Sequence, residues 1–169
     1  MTTSIQDEGS KLGTLWLFKQ KFGYKQIPTD IGYEAYLKAL LICANGDGKL
    51  ADEERDWVIG YAYAYNTDPA IIEQMKVYKA EEDIETVLSG DSSAMESVRE
   101  SRRFIIYDAI QACSADGEFH EKERAVVLKG AKKLNISEEE FKKIEEIYLE
   151  TVKLREKRLA VMYPNGSPL

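Results

Sequence analysis

The chain has 169 residues, a formal net charge of −7 and a sequence pI near 4.9. Nucleic acids and anionic membranes bind positively charged surfaces, so neither is expected as a partner of this acidic chain. The composition, with 44% hydrophobic and 31% charged residues and only four prolines, is typical of a folded, helix-rich domain that needs no disulfide or structural metal.

The first predicted helix covers about residues 10–22. Its apolar stripe, which includes Leu12, Trp16 and Phe22, is expected to dock on the rest of the domain. Thr29 and Asp30 supply capping oxygens for a second helix over about residues 30–45.

Further along the chain, apolar residues continue to recur at helical spacing, and no sustained alternation indicates a strand. Asp68 and Pro69 mark a helix start, and Ser137 with Glu140 forms a capping box. The remaining predicted helices cover about residues 51–65, 69–79, 81–88, 93–114, 121–134 and 138–161. The sequence therefore predicts an all-α bundle of about eight helices.

The domain organisation follows from these elements. We expect one domain over residues 1–169, with an N-terminal helical extension at 1–29, a duplicated core at 30–161 and a flexible tail at 162–169.

The core contains an internal similarity at an offset of 69 residues, where seven positions of 47–66 are identical to those of 116–135. Chance would give about one identity over this length. The identical positions in the first segment are Asp47, Gly48, Glu54, Arg55, Val58, Ala62 and Asn66. Each segment is typical of a helix stopped by a left-handed glycine, followed by an apolar residue and a new helix, so both should fold alike.

The segments ICANGDGKLADEER and CSADGEFHEKER resemble the TerB family, which comprises tellurite-resistance proteins and relatives such as the N-terminal domain of the DjlA co-chaperones. The family pattern is an alanine-rich helix ending in Ala-Asp-Gly, an apolar residue and an acidic helix start. Ala115, Asp116 and Gly117 match it, whereas Gly46 replaces the alanine in the first copy. The resemblance covers about residues 33–150.

This resemblance implies an all-α fold, a cytoplasmic stress-associated role, no enzymatic reaction and an acidic cluster that binds a divalent cation, Ca²⁺ or another. The matching positions in this chain are Asp47, Glu54, Asp116 and Glu123. A metal-free interpretation of the same four acidic residues also remains open. In that interpretation the aspartates accept turn amides, and the glutamates cap free amides at their helix starts.

Other metal and catalytic sites fit the residues less well. In an EF-hand loop the leading carboxylate would be replaced by Cys43 or Ala112, which leaves too few oxygen ligands for Ca²⁺. The only histidine, His120, has no second histidine or cysteine at zinc-ligand spacing, and one histidine cannot complete a di-iron bundle. We therefore predict a protein that is not an enzyme.

The compartment and partners are inferred from composition. Cys43 and Cys113 each lie in an apolar stretch, which predicts buried thiols in a reducing compartment. No signal peptide or bilayer-spanning run is recognisable, so we expect a cytoplasmic protein that does not insert into membranes. The alternative function is a metal-free interaction module, in which Tyr63 or the first helix docks a partner protein.

Overall fold

The computed structural model describes residues 2–28, 32–89 and 93–166, and within these ranges it contains nine α-helices and no strand. The predicted all-helical class is confirmed. The helices are α1 (Thr2–Phe22), α2 (Tyr33–Ala44), α3 (Asp52–Ala64), α4 (Pro69–Val77), α5 (Ile84–Val87), α6 (Ser93–Glu100), α7 (Arg102–Cys113), α8 (Glu121–Lys133) and α9 (Glu138–Met162), with a 3₁₀ turn at Asn45–Asp47.

Two predicted helix boundaries were wrong. The single helix expected over 93–114 is divided at Ser101, whose hydroxyl donates a hydrogen bond to the carbonyl of Ser97 at 2.9 Å. Such local bonds between side chain and backbone compete with the regular helix and bend it. Helix α1 begins at Thr2 rather than near residue 10. The capping role predicted for Thr29 and Asp30 lies outside the described residues.

The core is centred on α2 and α7, which pack against each other and are enclosed by α3, α4, α8 and α9. Every residue from Ala39 to Ala44 is buried. Cys43 and Cys113 are free and buried, as predicted, and burial raises the pKa of both thiols. The core therefore forms without disulfides, from helices that are apolar on most of their circumference.

Helix bounds recur along the chain at the offset of 69 residues. Adding 69 to the first and last residue numbers of α2 gives those of α7, and the same holds for α3 and α8. The first residues of α4 and α9 are also 69 apart. Gly48 and Gly117 both adopt positive φ angles, of 92° and 103°. Asn66 and Asn135 also lie in the left-handed region, at 54° and 56°, where asparagine is the side chain best tolerated after glycine.

Helix α1 docks on a different face from the one predicted. Leu12 and Trp16 are exposed, whereas Thr14 and Phe18 are buried. The C-terminal turn of α1 is anchored by Lys21, whose Nζ lies 2.5 Å from Oδ1 of the buried Asp108 in α7. A charged pair therefore holds the extension, in addition to its apolar contacts.

The last helix, α9, begins with the predicted capping box, in which the backbone amide of Glu140 donates to Oγ of Ser137 at 3.2 Å. Phe141 is buried in the core, but residues 153–166 are all exposed. Across the described ranges, no helix is both long and apolar enough to cross a membrane.

The 3₁₀ turn lies directly against the first turn of α8, and Gly46 makes this contact possible. A Cβ atom at Gly46 would lie 2.7 Å from the Cα of Glu123 and 3.1 Å from a methyl group of Val126. The first of these contacts is with backbone, which cannot rotate away. Gly46, which departs from the family pattern, is therefore required because there is no room for a side chain at this position. A left-handed φ angle is not the reason.

We expect Gly46→Ala to lower the free energy of unfolding by about 1–3 kcal/mol, because the added methyl group separates the turn from α8. Gly60→Ala is the control, since Gly60 lies within α3 and a Cβ atom there would meet nothing within 4 Å. That change should stabilise the protein by about 0.5–1 kcal/mol through helix propensity. Urea unfolding measures both, and a neutral Gly46→Ala variant would contradict the close contact.

Candidate functional site

Glu54 and Glu123 occupy equivalent places, each in the first turn of its helix. The carboxylate of Glu54 accepts a hydrogen bond from the backbone amide of Ala51 at 2.7 Å, and that of Glu123 accepts one from the amide of His120 at 2.9 Å. A glutamate at the third helical position reaches back to a free amide in this way, where it also favours the positive end of the helix dipole. Both side chains are thereby fixed in direction.

The two glutamates are buried and face each other, which the sequence did not predict. Each is only 1% exposed. Their carboxyl groups lie within hydrogen-bonding reach of one another. Within the described residues, Oε1 of Glu54 has no hydrogen-bond donor. Two acidic groups are therefore buried in contact, and no lysine or arginine of the described ranges forms an ion pair with either of them.

Burial raises the pKa of both carboxyl groups. The pKa of Glu54 rises to about 8, mainly by desolvation, with further increases from Glu123 and Asp116, while the amide of Ala51 acts in the opposite direction. Desolvation also raises the pKa of Glu123, against the effect of the His120 amide. Near neutral pH the pair therefore retains one proton, because two adjacent buried charges would repel each other.

Asp47 and Asp116 lie at the edge of this site, in the turns. Oδ1 of Asp47 accepts the backbone amide of Lys49 at 2.7 Å, and Oδ1 of Asp116 accepts that of Glu118 at 3.0 Å. The charge of Asp116 raises the pKa of Glu54, and the charge of Asp47 raises that of Glu123. Each aspartate therefore lies within electrostatic range of the glutamate from the other segment, without joining the contact between the glutamates.

All four side chains offer oxygen ligands, the type that Ca²⁺ and Mg²⁺ prefer. Glu54 and Glu123 fit such an ion because they converge, and because one of their oxygens lacks a donor. In the described part of the chain, no three His, Cys, Asp or Glu side chains lie together in a way that could hold a metal ion. Water or backbone oxygens would have to supply the remaining ligands, as is common for Mg²⁺.

His120 does not extend the ligand set. It is exposed at the start of α8, and its Nε2 lies 3.3 Å from a carboxylate oxygen of Glu118.

The burial of a third acidic residue, Asp108, was not predicted from the sequence either. Its Oδ2 accepts a hydrogen bond from the hydroxyl of Tyr36 at 2.8 Å, and Lys21 lies beside its other oxygen. The pKa of Asp108 is raised by burial, against the effects of Lys21 and Tyr36. The sequence did contain a signal for this site, namely an aspartate within an otherwise apolar helix. A buried aspartate is seldom without a partner, so a paired, buried group could have been expected there.

Comparison with known proteins agrees with this architecture. The family model for tellurite resistance protein TerB matches residues 33–146. A crystal structure of a tellurite resistance protein from Nostoc punctiforme is 38% identical and superposes with a TM-score of 0.80, covering 95% of this chain and 98% of that chain. None of the curated protein sequences matches. The family match and the related structure together show that the chain belongs to the TerB family of tellurite resistance proteins.

Proposed function

We propose that this TerB-family protein binds a divalent cation reversibly at Glu54 and Glu123, with Asp47 and Asp116 contributing charge or ligands, in a stress response associated with tellurite resistance. The observation that carries the proposal is the contact between two buried carboxyl groups, one of which has an oxygen without a donor. The recurrence of helix bounds supports the interpretation that the two glutamates come from duplicated segments.

The charge of the buried pair has to be neutralised by some other group. Burying one carboxylate without a partner is costly, and burying two in contact is more so. A shared proton removes part of the charge, whereas a divalent cation would allow both groups to ionise. Cation binding should therefore compete with protonation and become stronger as the pH rises.

The ligand types favour a hard cation, Ca²⁺ or Mg²⁺. Among the described residues, the side-chain ligands that converge at the pair are carboxylate oxygens, and the nearby thiols of Cys43 and Cys113 are buried with raised pKa values. Thiolate and imidazole ligands, which soft or borderline metals prefer, do not contribute. We assign no catalysed reaction to the protein, and we retain the cytoplasm as its compartment, because free thiols stay reduced there.

A second candidate function is a metal-free interaction module. Its support is the outward position of Leu12 and Trp16 on α1 and of Tyr63 on α3, all of which are exposed. Exposed aromatic side chains are common anchors in protein interfaces. In this candidate the four acids serve only as caps and turn acceptors.

Isothermal titration with Ca²⁺, Mg²⁺, Mn²⁺ and Zn²⁺ tests the first candidate. We expect saturable binding of Ca²⁺ or Mg²⁺ that is lost in Glu54→Gln with Glu123→Gln, because neutral amides keep the shape of the pair but not its charge. Asp47→Asn with Asp116→Asn should weaken binding less, since these residues lie outside the contact.

The matched control is Glu53→Gln with Glu121→Gln. It removes the same number of charges from the same helix turns, at exposed positions, and should leave binding nearly unchanged. Absence of heat with every ion, or binding that survives loss of the buried pair, would reject the cation site and leave the interaction module.

The raised pKa values also predict how stability depends on pH. The native state keeps the proton of Glu54 up to about pH 8, whereas the unfolded chain releases it near the ordinary value of 4.5. The free energy of unfolding should therefore fall as pH rises between these values, with an upper limit of about 1.4 kcal/mol per pH unit for one proton.

Urea unfolding of the metal-free protein between pH 5 and pH 8 measures this slope, over the window set by the two pKa values of Glu54. Glu54→Gln should flatten it and raise stability at the upper end by roughly 1–3 kcal/mol, because the carboxyl group of Glu123 then ionises without a second buried carboxyl group beside it. Glu53→Gln should keep the wild-type slope. A wild-type stability that is flat or rises across this range would contradict the buried pair.

A further inference from the structure

The second half of α9 extends beyond the folded core. Phe141 is buried and Ile144 and Tyr148 pack against the core, but every residue from 153 to the end of the helix is exposed. This segment is nevertheless rich in apolar side chains, including Leu154, Leu159, Val161 and Met162. A helix with such residues on its free surface is typical of an interface rather than of a solvated terminus.

One apolar stripe on α9 is distinct from the face that packs on the core. Ile147, Leu154 and Val161 are spaced seven residues apart and are 55%, 67% and 68% exposed. Residues at this spacing lie on one side of a helix, as in the seam of a coiled coil. The stripe spans about 21 Å at 1.5 Å per residue.

Charged residues of opposite sign lie beside this stripe. Glu150 is four residues before Leu154 and Lys157 is three residues after it, so both lie on the same flank at nearly equal distances from Leu154. Within the described ranges, neither Glu150 nor Lys157 forms an ion pair. If two such helices pack antiparallel about Leu154, each Glu150 faces Lys157 of the second copy.

An apolar groove opens at the core end of the stripe. Its volume is ≈ 720 Å³, and its apolar lining is formed by Phe104, Tyr107, Ile144 and Ile147, from α7 and α9. A second α9 running antiparallel from Leu154 would bring Val161, Met162 and Tyr163 to this groove. Charged side chains also line the groove, those of Lys21, Arg103, Glu140 and Lys143, so an incoming helix meets both apolar and charged groups there.

We propose that this chain forms a two-fold symmetric homodimer through antiparallel packing of its α9 helices. Leu154 lies near the two-fold axis, Ile147 meets Val161 of the second copy, and the free end of each helix covers the groove of the other. The positions of Glu150 and Lys157 support a second copy as the occupant, because each of these acids meets a base of the other helix in this arrangement.

Light scattering after size-exclusion chromatography tests the proposal on the full chain. The expected mass is twice the 19.2 kDa of one chain. Leu154→Glu should give a folded monomer, because two like charges would meet at the axis. Leu149→Glu is the control, since Leu149 is 54% exposed but lies on another side of the helix, and it should remain a dimer. Circular dichroism confirms folding of both variants.

Charge exchange tests the antiparallel register. Glu150→Lys alone should weaken the dimer, because it places two lysines opposite each other. Glu150→Lys with Lys157→Glu should restore it, since the opposite charges meet again in exchanged positions. A short bifunctional thiol reagent should also link two Leu154→Cys chains but not two Leu149→Cys chains. The native cysteines are buried and should not react.

A wild-type chain that stays monomeric up to submillimolar concentration would overturn the proposal. So would a dimer that Leu154→Glu leaves intact, or one that the charge exchange does not restore. A monomer that instead binds vesicles of anionic phospholipid would also overturn it, because the apolar and basic end of α9 would then have a lipid surface as its partner.

Discussion

The close approach of the 3₁₀ turn to the first turn of α8 is the contact on which the candidate site depends. It requires a residue without a side chain at Gly46, because a Cβ atom there would collide with the backbone of Glu123. The same approach removes Glu123 from solvent and brings it against Glu54. Each glutamate keeps one hydrogen bond, from an amide of its own helix start. Packing of the backbone therefore creates the paired carboxyl groups, while helix capping sets their direction.

The buried acidic groups of this protein are compensated in two different ways. Asp108 is neutralised within the chain, by the ammonium group of Lys21 and the hydroxyl of Tyr36. Lys21 is itself held over the ring of Tyr61, 4.7 Å from its centroid, so a cation is enclosed by aromatic and acidic groups. Glu54 and Glu123 have no comparable cationic side chain among the described residues. This contrast supports a proton or an external cation at the pair, since a buried charge without a partner is strongly destabilising.

The sequence predicted the features that local chemistry determines. The left-handed glycines, the Ser137 capping box and the amide contacts of Glu54 and Glu123 all follow from residue types at short spacing, and they are present. The burial of the two glutamates could not be predicted in this way, because it depends on the distance between elements that are far apart in the sequence.

The outward face of α1 was missed for a similar reason. Its stripe of Leu12 and Trp16 suggested an apolar contact, whereas the docked face carries the buried Phe18 and the ion pair of Lys21 with Asp108.

The two arginines that follow the paired glutamates have different partners in the two related segments. Arg55 donates hydrogen bonds to the carbonyl groups of Met75 and Tyr78, at 2.9 and 3.0 Å, and so satisfies the backbone where α4 ends. Arg124, at the equivalent position, instead forms a bidentate pair with the side chain of Glu145 at 2.6 Å. Glu145 belongs to α9, which extends to Met162. The partners of the arginine are thus carbonyl groups in the segment with the short helix α4. In the segment with the long helix α9, whose end is apolar and exposed, the partner is a carboxylate.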